Sequence, residues 1–251
     1  MALLEVRNLT MKFGSLVANS DVSFDVEPGT VVGLIGPNGA GKTTLFNCVA
    51  GFYKPTEGKI RFDGHDITNL PAYRISRLGM ARTFQVVRPL KEMTVLENIL
   101  VGAYLREPDP EKAAIIAERC MNTCFLEQFK DRPAGGLTIG NKKRLEVARA
   151  LATNPRLLLL DEAVAGLTST EVRQMVELIK GLREGGITIL MVEHIMEAIM
   201  PIADKIVVLD GGIKIAEDKP QVVVEDENVI KAYFGEKFSK RLKAMKDGGR
   251  A

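Results

Sequence analysis

The 251-residue chain is 46% apolar and 26% charged, with a formal net charge of +2, the balance of a globular protein with room for one large domain. That near-neutral charge excludes whole-chain attraction to nucleic acid, and the lack of Trp with only 6% aromatics leaves little for base stacking. The opening "MALLEVRNLT" has no basic leader, and the runs "VVGLIG", "LLLL" and "ITILMV" fall short of the roughly 18 apolar residues of a membrane span, so any membrane role would come through a partner.

In chain order, residues 3–8 and 22–26 alternate in part and predict strands of an antiparallel edge sheet, separated by a turn-rich stretch. "VVGLIG" (31–36) predicts a buried strand, and "GKTTLFNCVAG" a helix that opens on glycine and stops at Gly51. "KIRFDGHDIT" reads as a strand with a turn at Asp63-Gly64. From about 90 to 153, "MTVLENILVGAYL", "PEKAAIIAERCMNTCFLEQF" and "NKKRLEVARALATN" carry apolar residues at helical spacing, which predicts a mostly helical insertion. "RLLLLDE" returns to a buried strand, "STEVRQMVELIKGLREG" to a helix and "ITILMVEH" to a strand. "IADKIVVLDGGIKIAE" closes as strand, turn and strand. This alternation predicts an α/β fold with a mainly parallel sheet. Cys120 and Cys124 are spaced i, i+4 with no His nearby, so they and Cys48 read as core residues in a reducing setting rather than a metal site.

"GPNGAGKT" (36–43) fits the P-loop pattern in full and lies between a strand and a helix, the context that pattern needs. Gly36, Pro37, Asn38, Gly39, Ala40 and Gly41 would curl the backbone around phosphates, with amides and helix start presenting positive potential. Lys42 would neutralise the β- and γ-phosphates, Thr43 would offer its hydroxyl to Mg²⁺, and Thr44 would reach the α-phosphate. The second half of the chemistry is "LLLLDE" (157–162), which delivers Asp161 and Glu162 to the carboxyl end of a buried strand. Asp161 is the expected Mg²⁺ partner, and Glu162 is placed to polarise a water for in-line attack on the γ-phosphate. His194, at the end of another apolar strand, would hold Glu162 and that water in place.

The order of these motifs resembles that of ABC transporter ATP-binding subunits over essentially the whole chain; other P-loop ATPases share only the P-loop and the Asp-Glu strand. The resemblance implies a P-loop (RecA-like) ATPase core with an antiparallel β subdomain and an inserted α-helical subdomain. The core would span 1–86 and 154–235 and the helical subdomain 87–153, with a basic tail over 236–251, solvated or touching anionic lipid headgroups. Phe13 in "MKFGS" matches the aromatic that stacks on adenine, with Val17 and Ala18 completing that pocket. Gln85 in "ARTFQ" matches the Gln that reaches Mg²⁺ and the attacking water, and Val86 and Val87 would either pack on a partner or form a buried hinge. "LTIGN" (137–141) matches the signature, usually Leu-Ser-Gly-Gly-Gln, which faces the nucleotide of the opposite subunit: Thr138 keeps the hydroxyl and Gly140 the close approach. Ile139 and Asn141 depart from it, Asn141 being the weak point. The basic run Lys142, Lys143 and Arg144 reads as a solvated face. Thr168 stands where the dimer-contact loop commonly has Asp, and Ile195 where an Asp usually follows the switch His.

"GMARTFQVVRPLKEMTVLENILVGAYL" and "VIKAYFGE" resemble the first ATPase, the LivG type, of branched-chain amino acid importers. The resemblance implies ATP and Mg²⁺ as cofactors. It implies a second ATPase, identical or not, and two membrane permeases as partners, with a solute-binding protein acting indirectly and no nucleic acid. The place implied is the cytoplasmic face of the cell membrane, peripheral through the permeases. Alternatives are a urea or amide importer ATPase, a lipopolysaccharide-export ATPase, a soluble ABC ATPase of translation or repair, and a nucleotide-binding regulatory subunit that hydrolyses little.

Overall fold

The computed structural model describes residues 1–235, so the basic tail expected at 236–251 lies outside the described residues. The chain begins with β1 (Leu4–Phe13), β2 (Leu16–Val26), β3 (Val31–Ile35) and α1 (Lys42–Val49), then β4 (Glu57–Phe62), β5 (His65–Asp66), α2 (Ala72–Arg77) and β6 (Met80–Arg82). Three helices follow, α3 (Val95–Ala103), α4 (Pro110–Thr123) and α5 (Ile139–Leu151). The remainder is β7 (Leu157–Asp161), α6 (Ser169–Glu184), β8 (Thr188–Val192), α7 (Met196–Ile199), β9 (Lys205–Asp210), β10 (Ile213–Asp218), α8 (Pro220–Val223) and α9 (Glu227–Phe234).

A six-stranded sheet runs in the order β10-β9-β3-β8-β7-β6, parallel throughout except for the β9–β10 hairpin. A four-stranded antiparallel sheet, β2-β1-β4-β5, stands beside it. The unbroken apolar runs of the main sheet follow from burial on both faces. Along β7, Leu158 and Leu160 face one core while Leu157 and Leu159 face the other. β3, β8 and β9 alternate the same way: Val31, Ile189 and Ile206 turn to the first core, Val32, Leu190 and Val207 to the second. The first core is closed by α3 to α6, the second by α1 and the antiparallel sheet. Each fully buried aliphatic side chain contributes about 1.5–3 kcal/mol relative to exposure.

Several helices are started by side-chain caps. Thr94 and Glu97 form a reciprocal capping box at α3, and Asp109 caps α4 ahead of Pro110. Thr168, expected in a dimer-contact loop, caps α6 in a second such box with Glu171. The edge strands are longer than predicted: β1 and β2 pair from Leu4↔Val26 out to Phe13↔Leu16, because Leu9, Thr10 and Met11 are buried in a row and Lys12, Phe13, Leu16 and Val17 are exposed in a row, so alternation does not mark the pairing. β6 and α2 had no periodic signal, being three and six residues long.

Candidate functional site

Register brings the chemistry together. β3, β8 and β7 are parallel neighbours, and Val192 pairs with both Leu34 and Asp161. The loops that leave β3, β7 and β8 therefore emerge at one level, at the carboxyl edge of the sheet where α/β folds bind ligands. Those loops carry the P-loop, Glu162 and His194. β6 adds a fourth segment by pairing with β7, and Gln85 follows three residues later.

The P-loop curls back to start α1 at Gly41, which has φ 93° and no side-chain cap. A Cβ at Gly41 would lie 2.4 Å from the Ala18 carbonyl oxygen, and one at Gly36 2.1 Å from that of Leu209, so backbone fills both places. Asn19, fully buried, donates from Nδ2 to the Gly41 carbonyl at 3.3 Å. The buried Lys42 ammonium donates to the carbonyls of Gly36 (2.7 Å) and Pro37 (3.0 Å). Burial pushes its pKa down, and the Glu162 carboxylate opposes that shift. Uncapped amides, a helix dipole and a nearby cation form a cradle suited to phosphate oxygens. Thr43 is exposed and Thr44 half-buried on the first turn of α1.

Asp161 is 3% exposed and its amide donates to Thr83 Oγ1 at 3.2 Å. Its carboxylate accepts from Arg82 Nη2 at 2.8 Å. Burial raises the Asp161 pKa and the Arg82 hydrogen bond pulls it down. Arg82 also donates to Asn47 Oδ1 at 2.6 Å, and its guanidinium lies 5.0–5.3 Å from the ring centres of Phe46, Phe52 and Phe84. Thr43, Gln85, Asp161 and Arg82 line one cavity of about 480 Å³. Thr43 and Gln85 offer neutral oxygens and Asp161 a carboxylate, and no cluster of three His, Cys, Asp or Glu occurs among the described residues. All-oxygen donors with one charge suit a hydrated hard cation rather than zinc.

Glu162 has φ 48°, a left-handed conformation that costs a non-glycine residue roughly 1–3 kcal/mol. Its Oε2 accepts from Gln85 Nε2 at 2.9 Å, and His194 Nδ1 stands 4.0 Å from its Oε1. Glu162 is thus within reach of both residues expected to act with it.

The "LTIGN" segment is a helix start. Thr138 caps α5, its hydroxyl accepting the Asn141 amide at 3.3 Å. A Cβ at Gly140 would meet the Glu171 carboxylate at 2.3 Å, so the close approach here is made by α6 of the same chain. Asn141 is buried and its Oδ1 accepts from Arg144. Ile139 is exposed. Phe13 is 43% exposed at the β1–β2 hairpin and meets Tyr53 edge to face at 5.5 Å. Val17 is exposed beside it, while Ala18 sits on the P-loop through its carbonyl.

One expectation fails. Lys143 is not part of a solvated basic face: it is 6% exposed, and its ammonium donates to the Glu162 carbonyl at 2.5 Å. Helical geometry puts residues 140, 143 and 147 on one face, and all three are buried. Sequence reasoning also missed Arg82, Asn19, Glu146 and Glu193. Burial pushes the Glu146 carboxyl up to about 7, while the Phe84 amide and Arg149 act against it. The signal for Lys143 and Glu146 was their place on the inward stripe of α5; Arg82 and Asn19 had none.

Comparison with known proteins gives the same picture. Residues 19–165 match the ABC transporter family, and residues 214–239 match the branched-chain amino acid ATP-binding cassette transporter family. The chain is 44% identical to the high-affinity branched-chain amino acid transport ATP-binding protein BraF of Pseudomonas aeruginosa, covering 93% of this chain and 98% of that one. It is 41% identical to LivG of Escherichia coli K12, with the same coverage. An ABC transporter cassette in its ADP conformation superposes with a TM-score of 0.84 at 35% identity, covering 94% of this chain and 100% of the other. A dimeric cassette bound to ADP and Pi superposes with a TM-score of 0.78 at 27% identity, covering 86% and 98%.

Proposed function

The chain belongs to the ABC transporter family of ATP-binding, ATP-hydrolysing subunits, and from that premise we propose that it powers an importer of branched-chain amino acids. The observation that carries the hydrolytic reading is the placement of Glu162. It follows directly on β7, the strand next to β8, hydrogen-bonded to Gln85 at 2.9 Å and 4.0 Å from His194. The substrate class rests on identities of 41–44% with branched-chain transport ATP-binding proteins over 93% of the chain, and on the match at 214–239. These relatives favour that class over the urea, amide, lipopolysaccharide-export and non-transport alternatives.

In this reading the uncapped start of α1 binds the phosphates, Lys42 swings from its carbonyl partners to them, and Phe13 with Val17 and Ala18 supports the adenine. Thr43, Gln85 and Asp161 would hold Mg²⁺, which supplies neutralising charge to the phosphate oxygens. Glu162 takes the proton of the attacking water as general base, and Gln85 and His194 orient the water and the carboxylate. Thr138, Gly140 and Asn141 serve the nucleotide of a second ATPase, offering the helix dipole, a close backbone and the Thr138 O–H, while Asn141 Oδ1 is held by Arg144. The chain works as one ATPase unit, with 87–153 as its helical subdomain.

Among the described residues no helix is long and apolar enough to cross a membrane. A groove of about 430 Å³ beside Gln85, lined by Phe52, Tyr73, Phe84, Val101 and Leu105, offers apolar contacts to two membrane permeases. Through them the chain would sit on the cytoplasmic face of the cell membrane and take its solute indirectly from a binding protein.

Glu162→Gln should lower ATP turnover roughly 10²- to 10⁴-fold while ATP still binds, as read by phosphate release and titration calorimetry; unchanged turnover removes Glu162 as the base. Deleting the chain from its host should abolish concentrative uptake of labelled leucine, isoleucine and valine. Loss of urea uptake instead would move the substrate assignment.

A further inference from the structure

We propose that Lys143 is a positioning residue for hydrolysis, tying the helix that starts at Thr138 to the main chain of Glu162 in the same subunit. This deepens, and rests on, the reading of Glu162 as the general base.

Both peptide planes that flank the Glu162 Cα are held from outside β7. Its amide donates to the Val192 carbonyl at 3.0 Å, and its carbonyl accepts from Lys143 Nζ at 2.5 Å. Two residues on, the Val164 amide donates to Glu193 Oε1 at 3.0 Å. The turn out of β7 is therefore gripped by a cation from α5 and by a carboxylate from the residue after β8. Lys143 is 6% and Glu193 0% exposed.

A left-handed glutamate persists only where its surroundings over-determine it. With both planes fixed, the direction of the Cα–Cβ bond is fixed, and with it the approach of the carboxylate to Gln85 and His194. Without the Lys143 donor, a half-buried carbonyl would lose its partner and the plane between Glu162 and Ala163 would be free to turn. Burial disfavours the ammonium, and the nearby carboxylates of Glu193, Glu146 and Glu162 oppose that cost, so a buried charge is kept where a neutral side chain would pack more easily.

The arrangement has a consequence for a paired enzyme. Thr138 and Gly140 start the helix assigned to the opposite nucleotide, and Lys143 lies one turn further along it. A shift of α5 on engaging that nucleotide would move the ammonium that holds this subunit's own base.

The test uses the full chain. Lys143→Met should lower kcat for ATP roughly 10- to 100-fold, with KM changed less than about threefold, because it displaces the base and leaves the P-loop intact. Lys143→Arg, which keeps a long cationic donor, should recover most of the turnover. In the double variant with Glu162→Gln, the Lys143→Met effect should vanish, since a residue acting only through Glu162 has nothing left to position. A Lys143→Met effect that persists at full size in the double variant, or a kcat within about twofold of the parent, overturns the inference. Turnover that survives Glu162→Gln alone overturns the base assignment instead. Should Lys143→Met not fold, Lys143→Gln is judged by the same readings.

Discussion

The start of α1 and the start of α5 are both segments expected to face nucleotide phosphates, yet they handle their first amides in opposite ways. α1 opens on Gly41 in a left-handed turn with no side-chain acceptor, and backbone crowding forbids a Cβ there. α5 opens on Thr138, whose hydroxyl already accepts an amide, and its Gly140 makes room for Glu171 of its own chain. The first helix start leaves its donors to a ligand. The second gives one of its amides to its own cap and keeps the helix field and the Thr138 O–H donor to offer.

The largest test of that contrast is Lys42→Ala. Loss of a charge-assisted contact to phosphate should weaken ATP binding about 10- to 100-fold by calorimetry. Gly41→Ala comes next: a left-handed backbone and a carbonyl at 2.4 Å should cost roughly 1–3 kcal/mol, or about 2–4 °C in Tm per kcal/mol. Gly140→Ala should cost less, since it meets the movable end of Glu171; equal losses would erase the distinction. Thr138→Ala should remove about 1 kcal/mol of stability and leave the chain's own ATP affinity unchanged. If that affinity drops, the second helix start is not self-contained.

An effect confined to one side of neutral pH concerns the inward face of α5. The folded chain holds the Glu146 proton up to about pH 7, whereas the unfolded chain releases it near 4.5. The unfolded state then binds fewer protons between those values, so stability is present below about 4.5 and is lost as pH rises through 7. Glu146→Gln should therefore melt higher than the parent around pH 8, by about 1–3 kcal/mol at most, and no differently around pH 4. Parallel melting curves at both pH values would place that carboxylate in water.

What could be read from the sequence follows the same division. The P-loop is eight consecutive residues whose chemistry is mostly backbone, so spelling and context suffice. β7 is legible because burial on both faces leaves an unbroken Leu run ending in Asp161 and Glu162. The support behind them was hidden, since Arg82, Lys143 with Glu146, and Glu193 come from three distant segments and each looks like an ordinary surface charge. In the run Lys142-Lys143-Arg144 the composition says solvated, and only the helical phase of Lys143 says otherwise. The departures from the family's pattern were legible as letters but not as geometry: Ile139 is exposed, Asn141 Oδ1 accepts from Arg144, and Thr168 is a helix cap.

The three phenylalanines around the Arg82 guanidinium also make the site optically addressable. The chain has no Trp, so Phe84→Trp would install a sole indole between Arg82, which grips Asp161, and Gln85, which reaches Glu162. Cation–ring contact quenches and shifts indole emission, so its fluorescence would time the loosening of Arg82 from Asp161 during a single turnover, without any label.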